Sequence, residues 1–391
     1  MADAGTAALR DLIRAGSRIA IADGVGAPRA VSAELSALAR GYGDVSLLLG
    51  WVPAADPGLD LTAFTEVRAL MGGWGLRRAI DTGHVRYLPV ALGATPALVR
   101  GPLRPDVLVA ALVEVPGGFA FGSEVSWMRA AVGAGTVVAA VVNDALPRAD
   151  AGPPLPADQV VVVARANQPP LEIPPARIGP EHAAIARHVV TLIPSGARVQ
   201  VGPGPLGAAT LDALRVPVYL DTGLILDGVV DLAERGLLAG SSMANPMGAY
   251  LAGSRRLYAW ADQRPILHPV EVTHDAHRLS TGIPFIAVNT ALEVDLDAQV
   301  NVEGTAASTL GGIGGHPDFA AGAARSDGLS VIAVPTRHAR RYTLVDRLSR
   351  PTSTPAHDVD VVVTEQGAAD LRGLDRAERR NALLRLWGRQ P

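Results

Sequence analysis

Wholly apolar runs alternate with amphipathic stretches along most of the chain. The runs VVAAVV at 137–142 and VVVV at 160–163 show no polar alternation. That pattern is typical of strands covered on both faces of a mostly parallel sheet. Between such runs, the segments 31–41 and 182–193 space their apolar residues by three and four, which predicts helices that pack by one face. The pattern as a whole predicts an α/β fold with mostly parallel sheets.

Three segments of the first half recur in the second half in the same order. The pairs are 16–24 with 196–204, 122–141 with 315–334, and 158–167 with 358–367. Their offsets grow slowly, from 180 through 193 to 200 residues, and an internal duplication explains this better than chance. We therefore predict two similar α/β domains, residues 1–175 and 176–391, joined by the proline-rich segment 169–181.

The composition excludes several kinds of chemistry. The 391 residues contain no cysteine, and all 35 basic residues are arginine because the sequence has no lysine. Disulfides, thiolate metal sites, cysteine nucleophiles, Schiff bases and P-loop lysines are therefore impossible. Carboxylate, hydroxyl, imidazole and backbone groups remain to carry any reaction.

Charge and hydropathy limit the partners and the location. A net charge of −3 offers no concentrated positive charge for nucleic acid. No apolar run reaches the ~18–20 residues that span a membrane, and the N-terminal stretch lacks the pattern of a signal peptide. We expect a cytoplasmic protein that binds neither nucleic acid nor a membrane.

Glycine-rich turns are the strongest local signal. In GGIGGHPDFAAGAARSDG at 311–328 the glycines precede a predicted helix, whose free N–H groups can hold an anion or an oxyanion. A tight turn that needs positive φ is an equally good interpretation. Similar loops occur at 22–28 and 201–207, but neither continues as a GxGxxG motif with an acid about 20 residues later. Dinucleotide binding is therefore disfavoured.

Three histidines in HPVEVTHDAH, at 268–277, raise the question of a metal. His274 and His277 are three residues apart, but no second pair of ligands accompanies them. We expect no metal site.

The segment VYLDTGLILDGVVDL at 218–232 has a pattern that is typical of the edge of a ligand-binding site. An apolar β-branched run ends at Asp221, and Asp227 with Gly228 precedes a predicted helix. In an open α/β sheet, ligands bind where the carboxyl ends of strands turn into helices.

Together these segments resemble the acetyl-CoA hydrolase/transferase family, which includes the 4-hydroxybutyrate CoA-transferases. The resemblance extends over about residues 15–375. Its motifs are ILDGVVDLAERG (225–236), GSRRLYAW (253–260), NTALEVDLDAQVN (289–301), GGIGGHPDFAAGAA (311–324) and VVVTEQGAADLRG (361–373), with RYLPVALGATP (86–96), PGGFAFG (116–122) and VVNDALPR (141–148) in the first half.

The resemblance implies two class I CoA-transferase domains and a ping-pong transfer of CoA from an acyl-CoA to a free carboxylate. In that reaction a glutamate attacks the thioester, which gives an acyl-anhydride and then a glutamyl-CoA thioester. The resemblance also implies that the amides of Gly314 and Gly315 hold the oxyanion. Gly312, Gly202 and Gly204 are the further candidates for contact with CoA.

The family's glutamate lies in a His-Thr-Glu segment, four residues before the Asp-Gly that opens the helix. Counted back from Asp227, its position holds Gly223, with Thr222 retained and Asp221 in place of the histidine. The resemblance therefore implies a nucleophile turn without its nucleophile. In an alternative alignment Asp221 reaches the same point, although a misplacement of ~1 Å can cost ~100-fold in rate. His316, beside the loop, is a candidate general base for water or a neutral loop residue.

Two functions follow from this resemblance. The first is an enzyme that acts on CoA thioesters of small carboxylic acids, either by transfer through Asp221 or by hydrolysis in the space left at Gly223. The second is a non-catalytic CoA- or acyl-CoA-binding protein, or the partner subunit of an active homologue. In both cases we expect acyl-CoA and carboxylate ligands and a homo-oligomer, with or without a homologous active subunit.

Overall fold

The computed structural model describes residues 8–240, 245–338 and 341–389. Among these residues the chain forms two compact units. The first comprises the chain up to Val90 with Ala94–Ile173 and Ala249–Glu271, and the second comprises Ala91–Gly93, Pro174–Gly248 and the chain from Val272 onward.

Strands and helices alternate along the chain, as the apolar pattern predicts. The strands are β1 Arg18–Ile21, β2 Ser46–Leu49, β3 Glu66–Ala69, β4 Arg86–Tyr87, β5 Val107–Val115, β6 Gly118–Ala120, β7 Val137–Asn143, β8 Val160–Ala166, β9 Arg198–Val201, β10 Tyr219–Leu220, β11 Leu224–Ile225, β12 Tyr250–Leu251, β13 Phe285–Thr290, β14 Glu293–Asp295, β15 Val300–Asn301, β16 Leu329–Ala333, β17 Arg337–His338, β18 Arg341–Tyr342, β19 Leu344–Val345, β20 Val361–Thr364 and β21 Gly367–Asp370. The helices are α1 Ser32–Tyr42, α2 Arg77–Asp81, α3 Thr95–Arg100, α4 Met128–Gly133, α5 Pro180–Val190, α6 Pro205–Ala213, α7 Gly228–Glu234, α8 Arg255–Ala261, α9 Val270–Thr273, α10 Ala276–Ser280, α11 His316–Ala324 and α12 Arg376–Leu386. Within the described ranges, none of these helices combines the length and apolarity needed to cross a membrane.

The first unit is built on an eight-stranded sheet. Seven strands run parallel in the order β4-β3-β2-β1-β5-β7-β8, and β6 pairs antiparallel with β5. The first seven residues of β5 are all buried, as expected of a central strand covered on both faces. Ile19, Leu47, Val109 and Val141 belong to one hydrophobic core beside this sheet.

The second unit is built on a six-stranded sheet in the order β10-β9-β13-β16-β20-β21. Its strands are parallel except for β21, which is antiparallel to β20. The helix α11 packs against β13 and β16, where Phe285 and Phe319 share a small buried cluster. The class α/β with mostly parallel sheets is thus confirmed.

The two sheets repeat one arrangement. The neighbours β1-β5-β7-β8 in the first unit match β9-β13-β16-β20 in the second, all of them parallel. Glycines in the left-handed region flank the first strand of each set: Gly16 (φ 82°) and Gly24 (φ 96°) in one, Gly196 (φ 79°) and Gly204 (φ 119°) in the other. The shared order, direction and turn conformation support the duplication inferred from the sequence.

The compact units depart from the predicted ranges 1–175 and 176–391 at residues 91–93 and 174–175, which belong to the second unit, and at a longer third segment. Residues 249–271 belong to the first unit, where the backbone N–H of Leu251 donates to the carbonyl oxygen of Ser123 at 2.9 Å. Local sequence patterns do not reveal that this later segment packs in the first unit, because the pairing joins segments that are far apart in the sequence.

Candidate functional site

The turn after β10 holds Gly223 in a buried position of the second unit. A Cβ built on Gly223 would lie 3.6 Å from both Cε1 and Nε2 of His274, and 3.7 Å from Cε2 of Phe319. These are ordinary van der Waals distances, so a side chain at this position would fit at its first carbon and would contact His274. The helix α7 begins at Gly228, as the Asp-Gly pair predicts.

Asp221 is held in a buried ion pair. Its side chain is only 5% exposed, and Nη1 and Nη2 of Arg278 donate to its two carboxylate oxygens at 2.6 and 2.9 Å. Nη1 of Arg198 donates to the same carboxylate at 3.3 Å. A carboxylate held by a bidentate arginine and a second arginine is fixed in place. This geometry argues against Asp221 as a nucleophile and gives it a structural role.

The glycine-rich loop at 311–315 also lies beside His274. Gly314 has a left-handed backbone (φ 58°), and its carbonyl oxygen accepts from the N–H of Leu92 at 2.8 Å. Gly315 caps the N-terminus of α11. A Cβ on Gly315 would lie 2.3 Å from Nε2 of His274 and 2.8 Å from Cε2 of Phe319. The position therefore requires glycine for packing, and the predicted oxyanion loop and nucleophile turn both lie beside His274.

His274 is the functional candidate that the sequence alone undervalued. Its side chain is buried, at 4% exposure, and its ring lies 4.6 Å from that of Phe319, centroid to centroid. Nδ1 pairs with the hydroxyl of Thr273 at 2.8 Å, whereas Nε2 has no hydrogen-bond partner within the described ranges. Burial, with a contribution from the charge of Arg278, lowers the pKa of His274 to about 3, so the ring is neutral at ordinary pH.

His316 has both ring nitrogens engaged. Nε2 lies 3.1 Å from the carbonyl oxygen of Thr290, which can only accept, so Nε2 carries the proton and donates. Nδ1 then accepts from the hydroxyl of Thr354 at 2.6 Å. Burial lowers the pKa of His316 to about 4. These contacts favour the neutral loop residue over the general base.

The remaining predicted glycines lie in turns. Gly202 and Gly204 follow β9 and lead into α6, and a Cβ on either would meet nothing within 4 Å. The φ of 119° at Gly204 requires glycine for conformational reasons. Gly312 is partly exposed in the loop before Gly314. A role of these glycines in binding CoA stays a prediction.

A second buried polar cluster, in the first unit, was missed at the sequence level. The carboxylate Oδ2 of Asp23 accepts from the backbone N–H of Trp51 at 3.1 Å, from the indole of Trp127 at 3.1 Å and from the hydroxyl of Tyr250 at 3.0 Å. Oδ1 of Asp23 has no partner within the part of the chain that the structure describes. Burial raises the pKa of Asp23 to about 6.

Glu124 lies beside this cluster, under the glycine turn ADGVGAP. A Cβ on Gly24 or Gly26 would come within 2.6 Å of its carboxylate oxygens, so these two glycines allow the turn to close over the side chain. The N–H of Gly26 donates to Oε2 at 3.2 Å. Burial, with the nearby charge of Asp23, raises the pKa of Glu124 to about 8, so it carries a proton at neutral pH. In the sequence, the two glycines of the turn indicate that another group packs closely against the backbone there. The sequence does not show that this group is the side chain of Glu124.

Across the described ranges, no group of three or more His, Cys, Asp or Glu side chains is arranged to hold a metal ion. In particular, His274 is surrounded by Thr273, Phe319 and the two glycines rather than by further ligands.

Each unit is thus built on a mostly parallel sheet, and in the second unit a glycine-rich loop opens a helix beside a strand-end turn. The solved structure of 4-hydroxybutyrate CoA-transferase from Porphyromonas gingivalis superposes with a TM-score of 0.77 at 22% identity, over 96% of this chain and 91% of that one. That likeness concerns the fold.

Sequence comparison finds a matching domain model and similar proteins. Residues 253–386 match the model of the acetyl-CoA hydrolase/transferase C-terminal domain. The 4-hydroxybutyrate coenzyme A transferase of Clostridium kluyveri is 27% identical over 334 residues, which are 81% of this chain and 78% of that protein. The acetyl-CoA hydrolase of Kluyveromyces lactis is 29% identical over 257 residues, which are 59% of this chain and 48% of that protein. Over these ranges the chain is similar to the acetyl-CoA hydrolase/transferase family.

Proposed function

We propose that the chain acts on CoA thioesters of small carboxylic acids and hydrolyses them without a covalent intermediate on the protein. Relatives named as a CoA-transferase and as an acetyl-CoA hydrolase support a CoA thioester as the substrate. The observation that carries the proposal is the turn at Gly223, which has no side chain at the position where the resemblance places the attacking glutamate.

Ping-pong transfer needs a carboxylate that attacks the thioester and later carries CoA. Gly223 offers none, and the carboxylate of Asp221 is held by Arg198 and Arg278. The hydroxyl of Thr222 donates to the carbonyl oxygen of Val201 at 3.1 Å, and a threonine without an adjacent base is a poor nucleophile. The turn therefore lacks a group for the covalent route.

Direct hydrolysis needs only water as the attacking group. The water oxygen bonds to the thioester carbon, the carbon–sulfur bond breaks, and the proton released by the water goes to the leaving thiolate. The products are the free carboxylic acid and CoA. Negative charge develops on the carbonyl oxygen during this step, and the amides of Gly314 and Gly315 are the donors that the family resemblance assigns to it.

A second candidate function is non-catalytic binding of acyl-CoA, alone or as the partner subunit of an active homologue. The observation that favours it is the engagement of both predicted catalytic side chains, Asp221 in its ion pair and His316 between Thr290 and Thr354. In this function the turn at Gly223 would receive the acyl group without any chemistry.

Calorimetry and a thiol-release assay separate these candidates. Because the chain has no cysteine, a thiol reagent reports released CoA without background from the protein. We expect CoA and acetyl-CoA to bind, and acetyl-CoA to be cleaved at a rate that added propionate does not raise. Binding without release would support the second candidate. If a folded sample bound neither compound at millimolar concentration, both candidates would be refuted.

A further inference from the structure

We propose that Nε2–H of His274 donates a hydrogen bond to the thioester carbonyl oxygen of the substrate at the Gly223 turn. This role deepens the proposed function at the same site. It adds a side-chain donor to the two loop amides that the family resemblance implies.

Nε2 of His274 is a buried polar atom without a hydrogen-bond partner in the described part of the chain. Buried polar side-chain atoms in folded proteins nearly always have a hydrogen-bond partner, and an exception calls for a physical explanation. Nε2 of His274 is buried and has no partner within residues 8–240, 245–338 and 341–389. A ligand oxygen would supply the partner that the protein does not.

This nitrogen lies close to the two glycines of the candidate site. It lies 3.6 Å from the Cβ position of Gly223 and 2.3 Å from that of Gly315. The Gly315 side is closed, because even a Cβ would overlap the nitrogen there, whereas the Gly223 side leaves van der Waals distance for one atom, so a substrate atom would approach the nitrogen from Gly223. A shift of about 0.5 Å from the Gly223 Cβ position brings an oxygen within the ~2.7–3.2 Å of a hydrogen bond.

Two contacts fix the orientation of the His274 ring. One face contacts Phe319, at 4.6 Å between centroids, and Nδ1 is tied to the hydroxyl of Thr273 at 2.8 Å. The proposal requires the hydroxyl to donate in this pair, so that the single proton of the neutral ring lies on Nε2. A donor fixed in this way needs no reorganisation when charge develops on the substrate oxygen.

The low proton affinity of His274 favours a hydrogen-bond donor over a general base. A base would have to hold an extra proton in a buried position where the charge of Arg278 opposes it, and the pKa of His274 is lowered to about 3. At pH 7 only about one ring in ten thousand is protonated at such a pKa. A neutral imidazole with a depressed pKa is suited to polarise a carbonyl group by donation.

Two variants of similar size separate donation from packing. His274→Gln retains an N–H group at a similar reach, whereas His274→Leu fills the space without any donor. The probe is acetyl-CoA labelled with ¹³C at the thioester carbonyl, and difference infrared spectra are recorded by rapid mixing, before the wild type cleaves the substrate. We expect the carbonyl band to move to lower frequency in the complexes of the wild type and His274→Gln, and to stay at its solution position in His274→Leu.

Calorimetry provides the matched control. Loss of one neutral hydrogen bond should raise the Kd of acetyl-CoA about fivefold in His274→Leu, while the Kd of free CoA, which has no carbonyl at this position, stays unchanged. An unaltered ratio of the two Kd values in His274→Leu would overturn the role. An unshifted carbonyl band in the wild-type complex would do so without any variant. Failure of the wild type to bind CoA would instead refute the proposed function, and this role with it.

Discussion

Replacing Asp221 with alanine should destabilise the second unit rather than remove a nucleophile. In the structure Asp221 compensates two arginines whose side chains are only 11% (Arg198) and 26% (Arg278) exposed. Removing one partner of a buried ion pair leaves uncompensated charge and typically costs about 3–5 kcal/mol. We expect a cost in this range for Asp221→Ala.

Hydrogen exchange measures this cost locally. The amides of Tyr219 and Asp221 donate to the carbonyl oxygens of Ala197 and Val199, both at 2.9 Å, so they report on the pairing of β10 with β9. A loss of about 3–5 kcal/mol in local stability should speed their exchange by at least ~100-fold. Because exchange is measured separately for each peptide, the result does not require the two units to unfold in one cooperative transition.

The exposed pair of Asp106 with Arg18 is the matched control. Their side chains are 47% and 51% exposed at a separation of 3.0 Å, so Asp106→Ala should cost about 0–1 kcal/mol. The reasoning would be refuted if Asp221→Ala left the exchange of β10 unchanged and yet abolished release of CoA. That result would make Asp221 the reacting group.

Two further predictions concern the other buried groups. The unfolded chain loses the proton of Glu124 above about pH 4.5, whereas the folded chain keeps it to about pH 8, so the free energy of unfolding should fall across this window. The free energy of unfolding can be measured against pH by urea denaturation followed by tryptophan fluorescence. Glu124→Gln should make its fall with pH less steep, whereas Glu34→Gln, at an exposed position, should leave the fall unchanged. An equal slope of this free energy against pH in the wild type and both variants would contradict the raised pKa of Glu124. Gly315→Ala should cost about 1–3 kcal/mol because its Cβ would meet His274 at 2.3 Å, whereas Gly223→Ala, with 3.6 Å available, should be close to neutral. Equal thermal stability of the two glycine variants would contradict the packing described for the loop.

The parts of the fold that the sequence predicted are those encoded over short stretches. The apolar run of β5 and the Asp-Gly start of α7 need only neighbouring residues, and the glycines at 16, 24, 196 and 204 mark turns by their own conformational freedom. The duplication was visible for the same reason, because each repeat retains its own strand and turn.

The site was predicted only in part, because its side chains come from separate segments. The turn at Gly223 and the loop at Gly315 were singled out from local pattern and resemblance. The role of His274 depends on contacts with both, which no spacing in the sequence reveals. Likewise, Asp221 could not be recognised as a structural residue until Arg198 and Arg278 were found around it.

Intact-protein mass spectrometry tests the absence of a covalent route most directly. The wild type and Gly223→Glu would each be incubated with acetyl-CoA and measured with and without borohydride. We expect the wild type to keep its unmodified mass under all conditions. The variant, whose new side chain fits at its first carbon, should gain the mass of bound CoA, and borohydride should remove that thioester-linked mass by reduction. A CoA adduct on the wild-type protein would contradict the account, because it would place a competent nucleophile at a turn where we find none.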